Sequence, residues 1–138
     1  MARRVVTFAF ERRPSLLFGT VYRPIAIVEF WSRKISAWVR VVMLVDSGAD
    51  YTLLPKIYAE HLGITLSRDG RCFDTMGIGG REQVYLLQRW PMRLGVWRRE
   101  IPVGFLSRND VPPLLGRQAC LEEFKVTLFR HHTTFSVR

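Results

Sequence analysis

The sequence predicts an all-β domain with one or two short helices. Three observations lead there: segments rich in Val, Ile, Tyr and Phe follow one another, turn-forming residues separate them, and helical patterning is confined to a few short stretches. The clearest strand covers residues 35–45. Ile35, Ala37, Val39, Val41 and Met43 fall on one face, and Ser36, Trp38, Arg40, Val42 and Leu44 on the other. The segment turns apolar on both faces as it nears Asp46, so the strand enters the core just before that carboxylate.

The other elements follow in order. Residues 21–31 read as a strand, with Pro24 suited to a strand start or an edge, and Trp31-Ser32-Arg33-Lys34 makes the hairpin connection to the next strand. Ser47-Gly48-Ala49-Asp50 has the composition of a turn, and residues 51–54 form a brief extended piece stopped by Pro55. Pro55 suits the first turn of a helix over 56–62, with Ile57, Ala59 and Leu62 inward and Gly63 closing it. Residues 71–78 and 82–90 are the arms of a hairpin whose tip is Gly77-Ile78-Gly79-Gly80. A strand at 96–106 comes next, and Pro112-Pro113 then introduces Leu114-Leu115-Gly116-Arg117 and a helical turn over 118–124. Two last strands, 125–129 and 133–137, are joined through Arg130-His131-His132. Residues 5–20 fit a strand, a propiece or a regulatory arm equally well.

With 138 residues, 48% of them hydrophobic, the chain reads as one globular domain over 1–138, residues 1–20 forming an N-terminal extension. The balance of 21 basic against 12 acidic residues gives +9, carried by 18 Arg and 3 Lys in singles and pairs. Such a charge invites a nucleic-acid partner, but the arginines form no stripe, so that reading ranks last. Trp31, Trp38, Trp90 and Trp97 are read as core and edge packing rather than a base-stacking platform. Cys72, Cys120, His61, His131 and His132 show no zinc-type spacing, and adjacent histidines on a strand face opposite ways. Neither a metal nor an organic cofactor is expected. The basic N-terminus is interrupted by Glu11-Arg12-Arg13 before an apolar stretch of signal-peptide length, and no apolar run spans a membrane. The expectation is a soluble, cytoplasmic protein with reduced thiols.

Val45-Asp46-Ser47-Gly48-Ala49-Asp50 is the segment that carries chemistry. An acid at the end of a buried strand, followed by a small hydroxyl residue and Gly, sits where the amides of a tight turn can surround it. Alone, Asp-Ser-Gly is ordinary turn chemistry. Two further features stand in order downstream: the glycine-tipped hairpin at 76–80 and the apolar-apolar-Gly-Arg sequence at 114–117.

With these three segments the chain resembles the retropepsin-like aspartic proteases over roughly residues 21–129. Residues 44–54 are similar to that family's active-site segment, 76–80 to its flap, and 114–124 to its second apolar loop and helix. The resemblance implies a closed β-barrel, one lobe per subunit, and a symmetric homodimer that acts on protein or peptide substrates. It implies catalysis by Asp46, Ser47 and Gly48, with Ser47 bonding across the pair of loops. Ala49, Asp50, Gly77, Ile78, Gly79, Gly80 and Leu115 are then substrate-binding residues, Ile78 and Leu115 as apolar pocket walls. Gly116 and Arg117 give support, Arg117 through a buried, bidentate pair with Asp50. Only one Asp-Ser/Thr-Gly triplet exists in the chain, so a two-lobed monomer is excluded and a protease of this kind has to dimerise. The rival expectation is a catalytically silent domain of the same fold that binds peptides or mediates assembly.

Overall fold

The computed structural model describes residues 3–77 and 80–137. The alternating segments ahead of Asp46 form a hairpin, β4 (Ile25–Ser32) with β5 (Ala37–Val45), paired in register from Ile25↔Leu44 to Ser32↔Ala37. Pro24 separates β4 from β3 (Gly19–Arg23), so the single strand expected over 21–31 is two. Proline has no N–H to continue a ladder, and the chain changes partners there. The start at residue 35 is likewise corrected. Ser36 takes φ of 50°, in the left-handed region, and Ile35 is 60% exposed, so both belong to the turn.

Seven strands make the main sheet. In sheet order they are β4, β5, β10 (Leu114–Leu115), β6 (Thr52–Leu54), β9 (Trp97–Leu106), β8 (Gly80–Leu94) and β7 (Arg71–Gly77). A further pairing of β4 with β8, through Glu29↔Arg93 and Phe30↔Met92, closes the sheet on itself and covers the edge of β4, with β7 left as the end strand. At this seam Arg93 grips Glu29 with two hydrogen bonds of 2.9 and 3.0 Å and stacks 4.5 Å over the Trp38 ring. Those bonds hold the Glu29 carboxyl below the usual carboxylate range.

Inside the ring, Val28, Phe30, Val41, Met43, Leu54, Met92, Leu94, Ile101, Phe105 and Leu115 are all less than 2% exposed. Each buried side chain of this size contributes about 1.5–3 kcal/mol. Trp90 and Trp97 belong to this core, and Trp90 Nε1 donates to the Trp31 carbonyl at 2.8 Å. Trp31 and Trp38 pack edge to face nearer the surface.

A three-stranded sheet lies beside the ring: β1 (Arg3–Ala9), β12 (His132–Val137) and β11 (Lys125–Phe129), in that order. It is anchored by Phe135, wholly buried, against Phe8 and Phe124, with Phe124 against Trp97. The segment 5–20 thus supplies β1 and most of a separate hairpin, β2 (Glu11–Ser15) with β3. Arg130 and His131 both have positive φ and form the two-residue turn between β11 and β12. His131 stacks on Tyr22 at 4.2 Å, and both adjacent histidines are exposed.

Two helices pack under the ring, α1 (Ile57–Leu62) and α2 (Leu66–Asp69), the second unexpected from the sequence. Ala59 and Leu62 face inward as expected, but Ile57 is 37% exposed. Positions two apart on a helix are about 200° apart, so Ile57 and Ala59 cannot share a face. Gly63 closes α1 at φ of 72°. Among the described residues, no helix is long and apolar enough to cross a membrane.

Asp69 ties this layer to the hairpin above it. Its carboxylate accepts from the Thr65 amide at 2.8 Å and from Arg33 at 2.7 Å, and pairs with Arg68; Arg33 also donates to the Gly63 carbonyl and covers the Trp90 ring. The hydrogen bond from Arg68, then that from Thr65, with Arg33 adding, hold the Asp69 carboxyl far below its ordinary value. A lowered folded pKa means that the stabilisation is complete well above 3.8, the ordinary value, and is lost as pH falls below it toward the lowered one. We expect Asp69→Asn to melt below wild type at neutral pH, with the gap narrowing only below that point. A gap that stays constant into strong acid contradicts the assignment.

Candidate active site

The approach to Asp46 is fixed by three backbone bonds, two on the β10 side of the chain and one on the β4 side. Leu44 donates to the Pro113 carbonyl at 2.9 Å, Val45 to that of Pro24 at 3.0 Å, and Asp46 to that of Leu115 at 3.0 Å. Strand β10 makes this possible, running parallel to β5 (Leu114↔Leu44, Leu115↔Val45) and antiparallel to β6 (Leu114↔Leu53). The end of β5 is therefore enclosed on both sides and cannot fray.

The chain then turns sharply. Ala49 N–H returns to the Asp46 carbonyl at 3.1 Å, and Gly48 N–H donates to Asp46 Oδ1 at 2.9 Å. A Cβ on Gly48 would lie 3.1 Å from that same oxygen, close enough that the carboxylate would have to shift by a few tenths of an ångström. Asp46 is half-buried; Ser47 and Gly48 are exposed.

Arg117 holds the loop from below. One guanidinium nitrogen donates to the Ser47 carbonyl and another to Asp50 Oδ1, each at 2.6 Å, and its own amide reaches the Ala49 carbonyl at 3.0 Å. Gln118 N–H adds a bond to the Asp50 carbonyl at 2.8 Å. The expected pairing of Asp50 with Arg117 thus forms, but it is neither buried nor bidentate. The side chains are 80% and 41% exposed, and the guanidinium divides itself between a carboxylate and a carbonyl. In water an ion pair of this kind contributes about 1 kcal/mol or less, so its value lies in the geometry of the loop.

Gly116 sits where two chain segments cross. A Cβ there would lie 2.2 Å from the Tyr51 carbonyl carbon, and its amide donates to Thr52 Oγ1 at 3.2 Å. Burial, and then the charge of Asp50, push the Tyr51 hydroxyl up. Leu115 departs from expectation. Its side chain is wholly buried in the core and cannot wall a pocket; its carbonyl, bound to Asp46 N–H, is what it brings to the site.

Pro24, Pro113 and Thr52 were not singled out from sequence. The two prolines act through carbonyls, which carry no sequence signature. Thr52 did carry one, a hydroxyl within an apolar run, since a buried hydroxyl needs a partner. Buried beside this crossing, the Cys120 thiol is pushed up to about 12 and stays protonated.

The β7–β8 hairpin is closed by the pair Gly77↔Gly80, with Gly80 at φ of 111°. The expected tip residues Ile78 and Gly79 lie outside the described residues. Beside the Asp46 loop runs a groove of about 370 Å³, lined by Val45, Ser47, Leu121, Phe124, Val126 and Leu128. Chemically, a carboxylate with one oxygen fixed by an amide can serve as a base. The neighbouring Asp50 is tied to Arg117 and is therefore not free to act as the acid beside Asp46.

Residues 34–120 match the family model described as "gag-polyprotein putative aspartyl protease". No curated protein matches the chain in sequence. Among solved structures, a retropepsin-like aspartic protease from Rickettsia conorii is similar, with a TM-score of 0.64 at 19% identity, over 94% of this chain and 98% of that one. At that identity it is the fold that the two share.

The crossing at Gly116 gives a direct test. Gly116→Ala has to displace backbone, and we expect at least about 2 kcal/mol of destabilisation in urea unfolding. Val96→Ala, at a site 84% exposed, should stay within about 0.5 kcal/mol of wild type. Equal effects at the two sites contradict the close approach.

Proposed function

Because this chain belongs to the gag-polyprotein aspartyl protease family and has the retropepsin-like fold, we propose that it is an aspartic endopeptidase, active as a homodimer with one Asp46 from each copy. The observation that carries this reading is the single Asp46, half-buried at the end of an enclosed strand, its Oδ1 held by Gly48 and its loop held by Arg117.

Two carboxyls brought within a few ångströms by a two-fold axis cannot both ionise, so they share one proton and titrate together. The ionised Asp46 takes a proton from a bound water as that water attacks the peptide carbonyl carbon. The protonated one donates to the carbonyl oxygen, giving a tetrahedral gem-diol. Collapse of the gem-diol breaks the C–N bond. The leaving nitrogen takes the proton held by one carboxyl while a gem-diol hydroxyl gives its proton to the other as the C=O re-forms, so the pair again holds one proton. Water is the sole co-reactant.

The remaining residues take supporting roles in this reading. The Ser47 hydroxyl bonds across the two-fold axis and keeps the loops in register, while Gly48 lets backbone approach the carboxylates. Ala49 and Asp50 line the path of an extended peptide. Gly77, Ile78, Gly79 and Gly80 form a flap that closes over it and offers backbone hydrogen bonds, a form of strand addition. Gly116 and Arg117 hold the loop from beneath.

Wild type and Asp46→Asn, incubated with a pool of denatured proteins from acid to neutral pH and read by mass spectrometry, test the proposal. We expect cuts by wild type that fall by about 10²–10⁴-fold or vanish in the variant. If wild type sediments as a dimer and still cuts nothing, the enzyme reading fails and a peptide-binding domain takes its place.

A further inference from the structure

The β2–β3 hairpin is not joined to either larger sheet, and two-stranded hairpins are marginal on their own. At its tip Leu16, Leu17 and Phe18 are 107%, 85% and 77% exposed, the one run of three consecutive exposed large apolar side chains among the described residues. The tip is not loose coil. Ser15 Oγ accepts from the Phe18 amide at 3.2 Å, and Gly19, at φ of 74°, returns the chain to β3. An ordered turn thus presents three apolar side chains together to solvent, as interaction surfaces do.

The root of this arm lies at the catalytic strand. Pro24, directly after β3, accepts the Val45 amide. On the other side of the arm, Phe10 donates to the His131 carbonyl at 2.8 Å and Tyr22 stacks on the His131 ring. Five residues per strand at about 3.3 Å each give a reach of roughly 16 Å from that root. The arm thus starts beside the residue that precedes Asp46, where a two-fold axis through the paired carboxyls would pass.

The same chain carries a complementary surface. The groove at Val45, Leu121, Phe124, Val126 and Leu128 is apolar, open beside Ser47, and bounded by β11, an edge strand on which Leu128 is 53% exposed. Glu122 and Arg117 both line it as well, Arg117 being already paired with Asp50, so Glu122 is the charge at the groove opposite in sign to Arg12 and Arg23 on the arm.

We infer that the β2–β3 hairpin is a dimerisation arm whose Leu16-Leu17-Phe18 tip seats in the groove of a second copy of this chain. This rests on the homodimer reading above. The exchange is isologous: each arm fills the other copy's groove, and the assembly closes at two chains.

Sedimentation velocity over a concentration series measures the dimer constant of wild type, of the tip variant L16S/L17S/F18S and of the groove variant Leu128→Glu. Thermal melts confirm that each variant folds. Both variants should dimerise at least about tenfold more weakly. The tip variant, concentrated enough to restore the dimer, should cut peptides at the wild-type rate. In a Cys72→Ser background, Leu17→Cys with Leu128→Cys should yield an intermolecular disulfide on mild oxidation. A tip variant that dimerises like wild type overturns the inference and leaves the protease reading intact. So does a tip variant that merely loses flotation with phosphatidylserine vesicles, which would assign the tip to a bilayer. A wild type that stays monomeric at every concentration removes the homodimer and the arm together.

Discussion

The structure turns on one crossing. β10 has only two residues, yet it enters between β5 and β6 and bonds to both, so that the loop after it passes directly beneath the loop after Asp46. The passage is possible because Gly116 has no side chain to strike the Tyr51 carbonyl. Everything that shapes the site follows. Leu115 can cap Asp46, Thr52 can meet the Gly116 amide, and Arg117 emerges at the right height to hold Ser47 and Asp50. Removing the crossing leaves the carboxylate on a frayed strand end.

Sequence patterning was legible where one residue type can do one thing. The β4–β5 hairpin, the β7–β8 hairpin, β9 and the last two strands were readable because apolar alternation and turn residues coincided. Asp46, Gly48, Gly116 and Arg117 were readable as a set because they stand in ordered segments that together resemble a known family. What stayed illegible depends on backbone or on distant partners. β10 is too short to show a period, and the carbonyls of Pro24 and Pro113 carry no side-chain signal. The segment 5–20 finds its place only when β12, far along the chain, is there to pair with β1. Leu115 was misread because a Leu beside the site looks the same whether it lines a pocket or supports the floor. The Asp50–Arg117 pair was found while its burial was not, since exposure depends on what covers the pair.

The strong positive charge has a partly internal use. Arg33, Arg93 and Arg117 each serve more than one group at once, a carboxylate together with a carbonyl, an indole face or, for Arg33, both. Lysine, with a compact charge and no planar fork, cannot make both contacts in the same way. This accounts for part of the preference for arginine over lysine without any appeal to an acidic partner.

The pairing of β1 with β12 bears on how the protein is made. Arg3 lies opposite Val137, so the first described strand has no ladder until the last has been synthesised. Contacts that span nearly the whole length of a chain form late and slowly. A nascent chain therefore carries Asp46 and its loop well before the sheet that packs Phe135 into the core exists. The arm between β1 and β4 likewise has no settled root until His131 arrives beside it. The arm and the sheet around Phe135 therefore settle together, later than the loop that carries Asp46.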